Sequence, residues 1–265
     1  LGSLSGYSGN PVVLLTAAAL VICGGLGFFV WEELRTRRSY RRLSLYSRMV
    51  LWITGALLLG GTVFFFCTEY ANPATLGPMP VWQKLLNAFF QSASLRTAGF
   101  YAIDQGALTD TATAGCILLM LVGGSSGSTA GGLKTVTLGV LLLSMGAGLR
   151  GRETVVFRGR QIPPKQVLSA LTLVQTMGVV FLTASMAIAL ADSVPFLQAA
   201  YEAASAIATV GLTTGITPGL SLFSHLLLIA MMYLGRVGVL SFSLAFLSGG
   251  TAERIQYPET SVMIG

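Results

Sequence analysis

The sequence predicts an all-α membrane protein built from repeated re-entrant pore-loop units, and three observations lead there. Hydrophobic residues make up 53% of the 265 and charged residues only 10%, with a mean hydropathy of +0.74, which places the chain in the membrane class. A 14-residue apolar stretch, Trp82 to Leu95, runs into the glycine-centred turn Arg96-Thr97-Ala98-Gly99-Phe100; it is too short for a hydrocarbon core that needs about 20 residues. An offset of 112 residues then carries Thr97 onto Thr209, Gly99 onto Gly211, Leu108 onto Leu220, Ile117 onto Ile229, Met120 onto Met232 and Gly123 onto Gly235 without a gap. A second short stretch, Pro195 to Ala208, again leads into Thr209-Val210-Gly211-Leu212. Two copies of one membrane unit are present.

A turn of this kind answers a specific need. An ion leaving water must have its hydration shell replaced, and backbone carbonyls do this where glycine lets the chain bend tightly. Non-helical backbone at membrane depth is tolerated only where it lines a cavity or is buried in protein. A short helix ending at the turn also aims its negative dipole end there, which favours a cation. One Thr-x-Gly alone would read as an ordinary outer turn; recurrence after matching apolar stretches favours a pore.

Five stretches are long enough to span: Pro11 to Trp31, Met49 to Cys67, Thr111 to Leu149 (interrupted), Val167 to Ala191, and Leu222 to Leu247 (interrupted). Arg35, Arg37, Arg38, Arg41, Arg42 and Arg48 lie between the first two, and Arg150, Arg152, Arg158, Arg160 and Lys165 between the third and fourth. The positive-inside rule puts these loops in the cytoplasm. Residues 1–10, both glycine turns and the segment around Asp192 then fall outside, while Arg254 and the tail fall inside. The net charge of +6 is thus membrane topology with lipid headgroup contact. Neither loop is long enough to fold as a basic nucleic-acid-binding domain, although docking of a cytoplasmic partner is compatible with them. Cys23, Cys67 and Cys116 sit inside apolar spans without paired spacing and read as packing residues. No cleavable signal peptide is visible and the chain begins at Leu1, so it is expected to be the later part of a longer protein.

In chain order, residues 1–10 are a polar, glycine-rich connection before Pro11, which suits a helix start. The first span descends to Glu32 and Glu33, the arginine loop follows, and the second span returns outward to Glu69. Asn72-Pro73 and Gly77-Pro78 mark an outer turn. Glu69, Asp104, Asp110 and Asp192 map to the outer side, where they either concentrate cations at a mouth or are solvated loop acids. Arg96, beside the first turn, is expected to brace it through carbonyls.

Thr111 to Leu149 carries one charge, Lys134, in 39 residues. One continuous helix of that length would measure about 58 Å, roughly twice the hydrocarbon thickness, so it must break. The break is Gly123-Gly124-Ser125-Ser126-Gly127-Ser128-Thr129-Ala130-Gly131-Gly132, then Leu133 and Lys134. Such residues weaken a helix and free backbone groups that need partners, which predicts a flexible intramembrane loop beneath the glycine turns. It reads as a gate, against the alternative of a small-residue packing seam. A phosphate-binding loop is excluded because Leu133 separates Gly132 from Lys134 and the context is a span.

Glu202 lies within the second short stretch, and an intramembrane acid needs a partner, either a basic group near the turn or a neighbouring backbone. Arg236, in Gly235-Arg236-Val237-Gly238, costs roughly 2.5 to 3.5 kcal/mol at a bilayer centre and is expected to face the pore. The offset sets it opposite Gly124, at the depth of the glycine-rich loop. There it would repel cations at a constriction, or be buried against helix carbonyls for folding alone.

These four motifs resemble the Trk/Ktr/HKT superfamily of potassium transporters. Arg150-Gly151-Arg152-Glu153 and the ending Tyr257-Pro258-Glu259 through Gly265 are most similar to the Ktr membrane subunit. The resemblance implies M1-P-M2 units, channel-like, around one central pore. Residues 1–34 would then be an outer connection and the M2 helix of a preceding unit. The 35–48 loop, the 49–149 unit with interrupted M2, the 150–165 loop, the 166–247 unit and the 248–265 cytoplasmic tail follow. Also implied are K+ uptake at the plasma membrane, often Na+-dependent, without a covalently bound cofactor; a homodimer; and a cytoplasmic nucleotide-binding regulatory subunit. K+ binding by backbone falls on Thr97, Ala98, Gly99 and Phe100 and on Thr209, Val210, Gly211 and Leu212. Gating falls on Gly123 to Gly132, Lys134 and Arg236. The family pattern needs four such turns and this chain has two. A Trk- or HKT-type K+ or Na+ transporter, and a non-conducting membrane scaffold, are the alternatives.

Overall fold

A computed structural model describes residues 2–152 and 154–238. Glu153, the expected end of the last span and the tail with Arg254 lie outside these residues. Helices α1 (Pro11–Leu26), α2 (Phe28–Arg37), α3 (Leu45–Glu69), α4 (Val81–Ser94), α5 (Asp110–Leu121), α6 (Thr135–Gly148), α7 (Pro164–Asp192), α8 (Phe196–Ile207) and α9 (Leu222–Val237) follow in order.

Of these, α3 and α7 are long and apolar enough to cross a membrane unaided. Ser44 caps α3 by accepting a hydrogen bond from the Ser47 amide, and Pro164 occupies the first turn of α7, where a missing N–H costs nothing. Their surfaces invert the soluble pattern. Trp52, Leu59, Leu168 and Leu190 are 64 to 83% exposed, as lipid-facing side chains are.

The shorter α4 and α8, about 21 and 18 Å long, have the opposite surroundings. Every residue of α8 from Ala199 to Ile207 is buried. Helix α4 packs against α3 and α1, and α8 against α7 and α5, so each short helix is wedged between the long helix before it and a helix from earlier in the chain. The largest apolar core gathers side chains of α5, α7, α8 and α9 and takes in Val210 and Leu212.

The first expected span, Pro11 to Trp31, is not one helix. It breaks at Gly27, and α1 and α2 diverge by 92°. Gly27 has φ +78, which glycine adopts without steric cost. A Cβ there would lie 2.7 Å from Ser125 Oγ and 2.8 Å from the Ser126 carbonyl oxygen, so the break also makes room for a distant loop. The basic 150–165 segment contains a small antiparallel hairpin, β1 (Val156–Phe157) and β2 (Arg160–Gln161). Arg158 and Gly159 at its turn have φ +48 and +79, the paired positive values that match strand twist.

The outer acids do structural work. Glu69 is fully buried at the end of α3. It accepts hydrogen bonds from the Thr109 amide (3.0 Å) and hydroxyl (2.7 Å), from Asn72 Nδ2 (2.7 Å) and from the Thr75 hydroxyl. Asp192, at the end of α7, accepts from the Ser221 amide at 2.7 Å and from the Ser224 hydroxyl. Thr109 and Ser221 are the N-caps of α5 and α9 and are related by the 112-residue offset. In each unit, then, an acid ending the long helix fixes the start of the closing helix, and Glu69, being fully buried, is not a solvated loop acid. Asp104 caps its own turn at the Gly106 amide, 2.9 Å away. Only Cys116 of the cysteines is buried; Cys23 and Cys67 are free and exposed, so the packing role holds for one of the three.

Candidate functional site

Both glycine turns begin where a buried short helix runs out. After α4, the Ala98 amide donates to the Ser94 carbonyl at 3.0 Å and the Ser94 hydroxyl reaches the Phe100 carbonyl. After α8, the Val210 amide donates to the Ser205 carbonyl at 2.8 Å and the Gly211 amide to Ser205 Oγ at 3.2 Å. Thr97 and Gly99 have φ +70 and +75, Thr209 and Gly211 +56 and +90, while Ala98 and Val210 between them are not left-handed. A positive φ is unusual for a β-branched residue and persists where surrounding structure imposes it. Alternating handedness can turn successive carbonyls to one side, the arrangement an unhydrated cation requires. The two turns lie side by side: a Cβ on Gly99 would sit 2.4 Å from the Val210 carbonyl oxygen, and one on Gly211 would sit 3.9 Å from Gly99 Cα. Among the described residues no cluster of three or more His, Cys, Asp or Glu side chains could hold a metal.

Each turn is braced by a buried polar side chain from its short helix. Glu202, 4% exposed, accepts from the Thr213 hydroxyl (2.8 Å), the Thr214 amide and hydroxyl (2.9 and 3.0 Å) and the Thr217 hydroxyl (2.8 Å). Its partners are the threonines just beyond the second turn, not a basic group. Beyond the first turn, Gln105 Oε1 accepts from Gln91 Nε2 of α4 at 2.6 Å and from the Tyr201 hydroxyl of α8 at 2.9 Å. This junction between the units went unread in the sequence, where the signal was a glutamine and a tyrosine inside the two short helices and a second glutamine in the loop beyond the first turn.

Beneath the turns, residues 123–132 form a folded body. The Gly123 amide donates to the Leu133 carbonyl at 2.8 Å, the Leu133 amide to the Leu121 carbonyl at 3.0 Å, and the Thr135 amide to the Gly124 carbonyl at 3.1 Å. Its tip sits in the break between α1 and α2. There the Ser125 amide donates to the Gly25 carbonyl at 2.9 Å, the Ser125 hydroxyl reaches the Leu26 carbonyl, and the Phe28 amide donates to the Gly127 carbonyl at 3.2 Å. The Tyr46 hydroxyl donates to the Ser126 carbonyl at 3.0 Å, and Ser128 Oγ to the Ser125 carbonyl at 2.6 Å. The other end rises against the second turn, since a Cβ on Gly131 would lie 2.3 Å from Thr209 Oγ1 and one on Gly132 3.3 Å from Ala208 Cβ. The expected flexible segment is therefore tied to three helices and packed under Thr209.

Three cations meet this body. Arg236 Nη1 donates to the Thr129 carbonyl, and Lys134 Nζ to the Ala130 carbonyl at 2.7 Å. Arg96, 7% exposed, reaches the Gly123 carbonyl and Thr54 Oγ1, each at 3.4 Å, so the carbonyl it braces belongs to the loop rather than to its own turn. Gly123 and Gly235, repeat-related, are both pressed against main-chain oxygens: a Cβ would lie 2.0 Å from the Gly131 oxygen and 1.9 Å from the Ile207 oxygen respectively.

Comparison with known proteins agrees in kind. A family model described as TrkH, cation transport protein, matches residues 2–253. The chain is 39% identical over 262 residues to the potassium/sodium uptake protein NtpJ of Enterococcus hirae, covering 97% of this chain and 58% of that protein. It is 38% identical over 267 residues to the Ktr system potassium uptake protein B of Bacillus subtilis, covering 99% and 59%. The crystal structure of the potassium transporter TrkH from Vibrio parahaemolyticus superposes with a TM-score of 0.73 at 18% identity, over 94% of this chain and 54% of that one; at that identity the likeness is one of fold. The chain thus spans a little over half the length of the curated relatives it matches.

Proposed function

The chain belongs to the TrkH family of cation transport proteins, and from that premise we propose that it is part of the membrane subunit of a potassium uptake system. Two M1-P-M2 units, α3-α4-α5/α6 and α7-α8-α9, supply two of the carbonyl segments around one pore, with α1/α2 as the M2 of a preceding unit. K+ passes down its electrochemical gradient, held by the backbones of residues 97–100 and 209–212. The observation that carries this reading is the side-by-side approach of Gly99 to Val210 and Gly211, with left-handed φ recurring at Thr97, Gly99, Thr209 and Gly211. Half a ring leaves an ion's shell incomplete, so conduction belongs to the full-length protein.

The loop of residues 123–132, with Lys134 and Arg236, is the gate. Its support is its place, packed under Thr209 and bonded to Arg236. Names of relatives as uptake proteins for potassium, or potassium and sodium, and as part of a Ktr system favour K+ as cargo of a system with more than one component; Na+ as an activator, a cytoplasmic nucleotide-binding regulatory subunit and a homodimeric membrane subunit complete the proposal. The plasma membrane, with the C-terminus inside, is the corresponding location.

The test is K+ uptake in cells lacking their own uptake systems and expressing the full-length gene with its regulatory subunit, with and without Na+. Rescue by wild type, with loss or altered ion preference in Gly211→Ser, is expected. Failure of correctly inserted wild type to rescue would overturn the reading.

A further inference from the structure

Away from the glycine turns, an apolar groove of about 390 Å³ opens between α3 and α6 and ends at the β1–β2 hairpin. Its α3 wall is formed by Met49, Trp52 and Ala56, on one helix face, and its α6 wall by Gly139 and Leu143. From Met49 to Ala56 the groove descends about 10 Å, within the roughly 15 Å of hydrocarbon in one leaflet. Trp52, 64% exposed, stands at its edge where interfacial tryptophans sit.

The mouth is charged. Arg158, at the hairpin turn, lies on the lip of the groove. Its guanidinium carbon is 6.0 Å from the Tyr40 ring centre, and that of Arg48 is 5.8 Å from the same ring. Neither arginine has a carboxylate partner among the described residues, where the one ion pair joins Arg37 to Glu33. Arg48 Nε is buried without a hydrogen-bond partner. The two basic loops, separate in sequence, thus converge on Tyr40 at the end of an apolar channel.

From this juxtaposition we infer that the groove is a binding site for an anionic phospholipid of the cytoplasmic leaflet. The acyl chain lies between α3 and α6 and the phosphate is held by Arg48 and Arg158. A basic pocket between membrane helices on the cytoplasmic side recognises such headgroups. A zwitterionic lipid would bring its own cation up to two arginines, and free phosphate has nothing to fill the groove. The inference rests on the cytoplasmic placement of the basic loops proposed above, but not on conduction, since ion flux is not its readout.

Native mass spectrometry of the full-length protein, purified from nanodiscs of mixed phosphatidylethanolamine and phosphatidylglycerol, tests it. Wild type should retain phosphatidylglycerol selectively. Arg48→Gln with Arg158→Gln should weaken retention roughly 30-fold, the factor given by about 1 kcal/mol per arginine at a membrane surface. Ala56→Phe, which fills the groove from a lipid-facing helix, should also lose the lipid, while Arg150→Gln with Arg152→Gln should stay within about twofold of wild type. Equal loss in that control would reduce the effect to general surface attraction and overturn the site, as would equal retention of phosphatidylethanolamine. Displacement of the lipid by inorganic phosphate alone would overturn the acyl-chain half of the argument. Efficient self-crosslinking of Trp52→Cys would assign the groove to a second copy of the chain instead.

Discussion

Gly99 and Val210, one from each glycine turn, meet backbone to backbone: a methyl group on Gly99 would sit 2.4 Å from the Val210 carbonyl oxygen. Gly99 is thus constrained twice, by its left-handed φ and by the neighbouring strand of the proposed ion path. Gly211 has the φ constraint, but its Cβ would meet nothing nearer than 3.9 Å. Gly99→Ala should abolish K+ uptake, whereas Gly211→Ala, bearing a left-handed cost of about 1 to 2 kcal/mol, should retain a reduced rate or altered K+/Na+ preference. Uptake at matched membrane expression measures this, and equal loss in both would dismiss the close approach as a determinant.

Glu69 should matter for stability rather than for attracting cations. Glu69→Ala strands the Thr109 amide and hydroxyl, and at about 1 to 3 kcal/mol per buried unsatisfied group the protein should lose roughly 3 kcal/mol. Thermal unfolding of the full-length protein in detergent reads the loss. A raised half-saturation concentration for K+ at unchanged stability would restore the mouth-acid reading.

Arg236→Ala removes the bond to the Thr129 carbonyl without touching the packing of Gly235, and should change K+ flux while leaving folding intact. Deleting Ser126 to Thr129 should raise flux severalfold at equal expression, because the Ser126 and Gly127 carbonyls that tie the loop to Tyr46 and Phe28, and the Thr129 carbonyl that meets Arg236, are gone. Unchanged or lower uptake in the deletion would argue against a gate.

Glu202→Gln offers a subtler probe. The carboxylate accepts four hydrogen bonds from residues 213–217, and an amide, with one acceptor oxygen, cannot keep them all. Loosening the segment that follows the second turn should lower K+/Na+ discrimination more than it lowers protein yield. Competition uptake measurements would show it, and unaltered discrimination would leave Glu202 with a folding role only.

Much of the helical order was legible because its signals are local. Short apolar stretches ending in Thr-x-Gly, and spans bounded by arginines, mark α3, α4, α7 and α8 within a few residues. The break inside Thr111 to Leu149 was equally visible, being written in glycine and serine. What escaped was tertiary. Gly27 looked like one more glycine in an apolar span until Ser125 and Ser126 were seen to fill the space beside it. Glu69 looked like an outer acid because its partner, Thr109, lies 40 residues on. The Gln91, Gln105 and Tyr201 junction joins three elements, and no periodicity connects them. Arg236 and the glycine-rich loop were placed at one depth by the repeat alone, yet the repeat could not say which carbonyl the arginine would meet.

The notch at Gly27 also dictates an order of assembly. Its occupant, Ser125, is 99 residues further along than the Leu26 carbonyl it reaches, and at about 5 to 20 residues per second the ribosome needs roughly 5 to 20 s to deliver it. Throughout that interval the carbonyls of Gly25 and Leu26 await their partner in a half-built protein. Whatever shields them then, water or an insertion factor, must leave when the loop arrives, so the maturation of this membrane protein has a built-in delayed step: seating a serine in a waiting helix break.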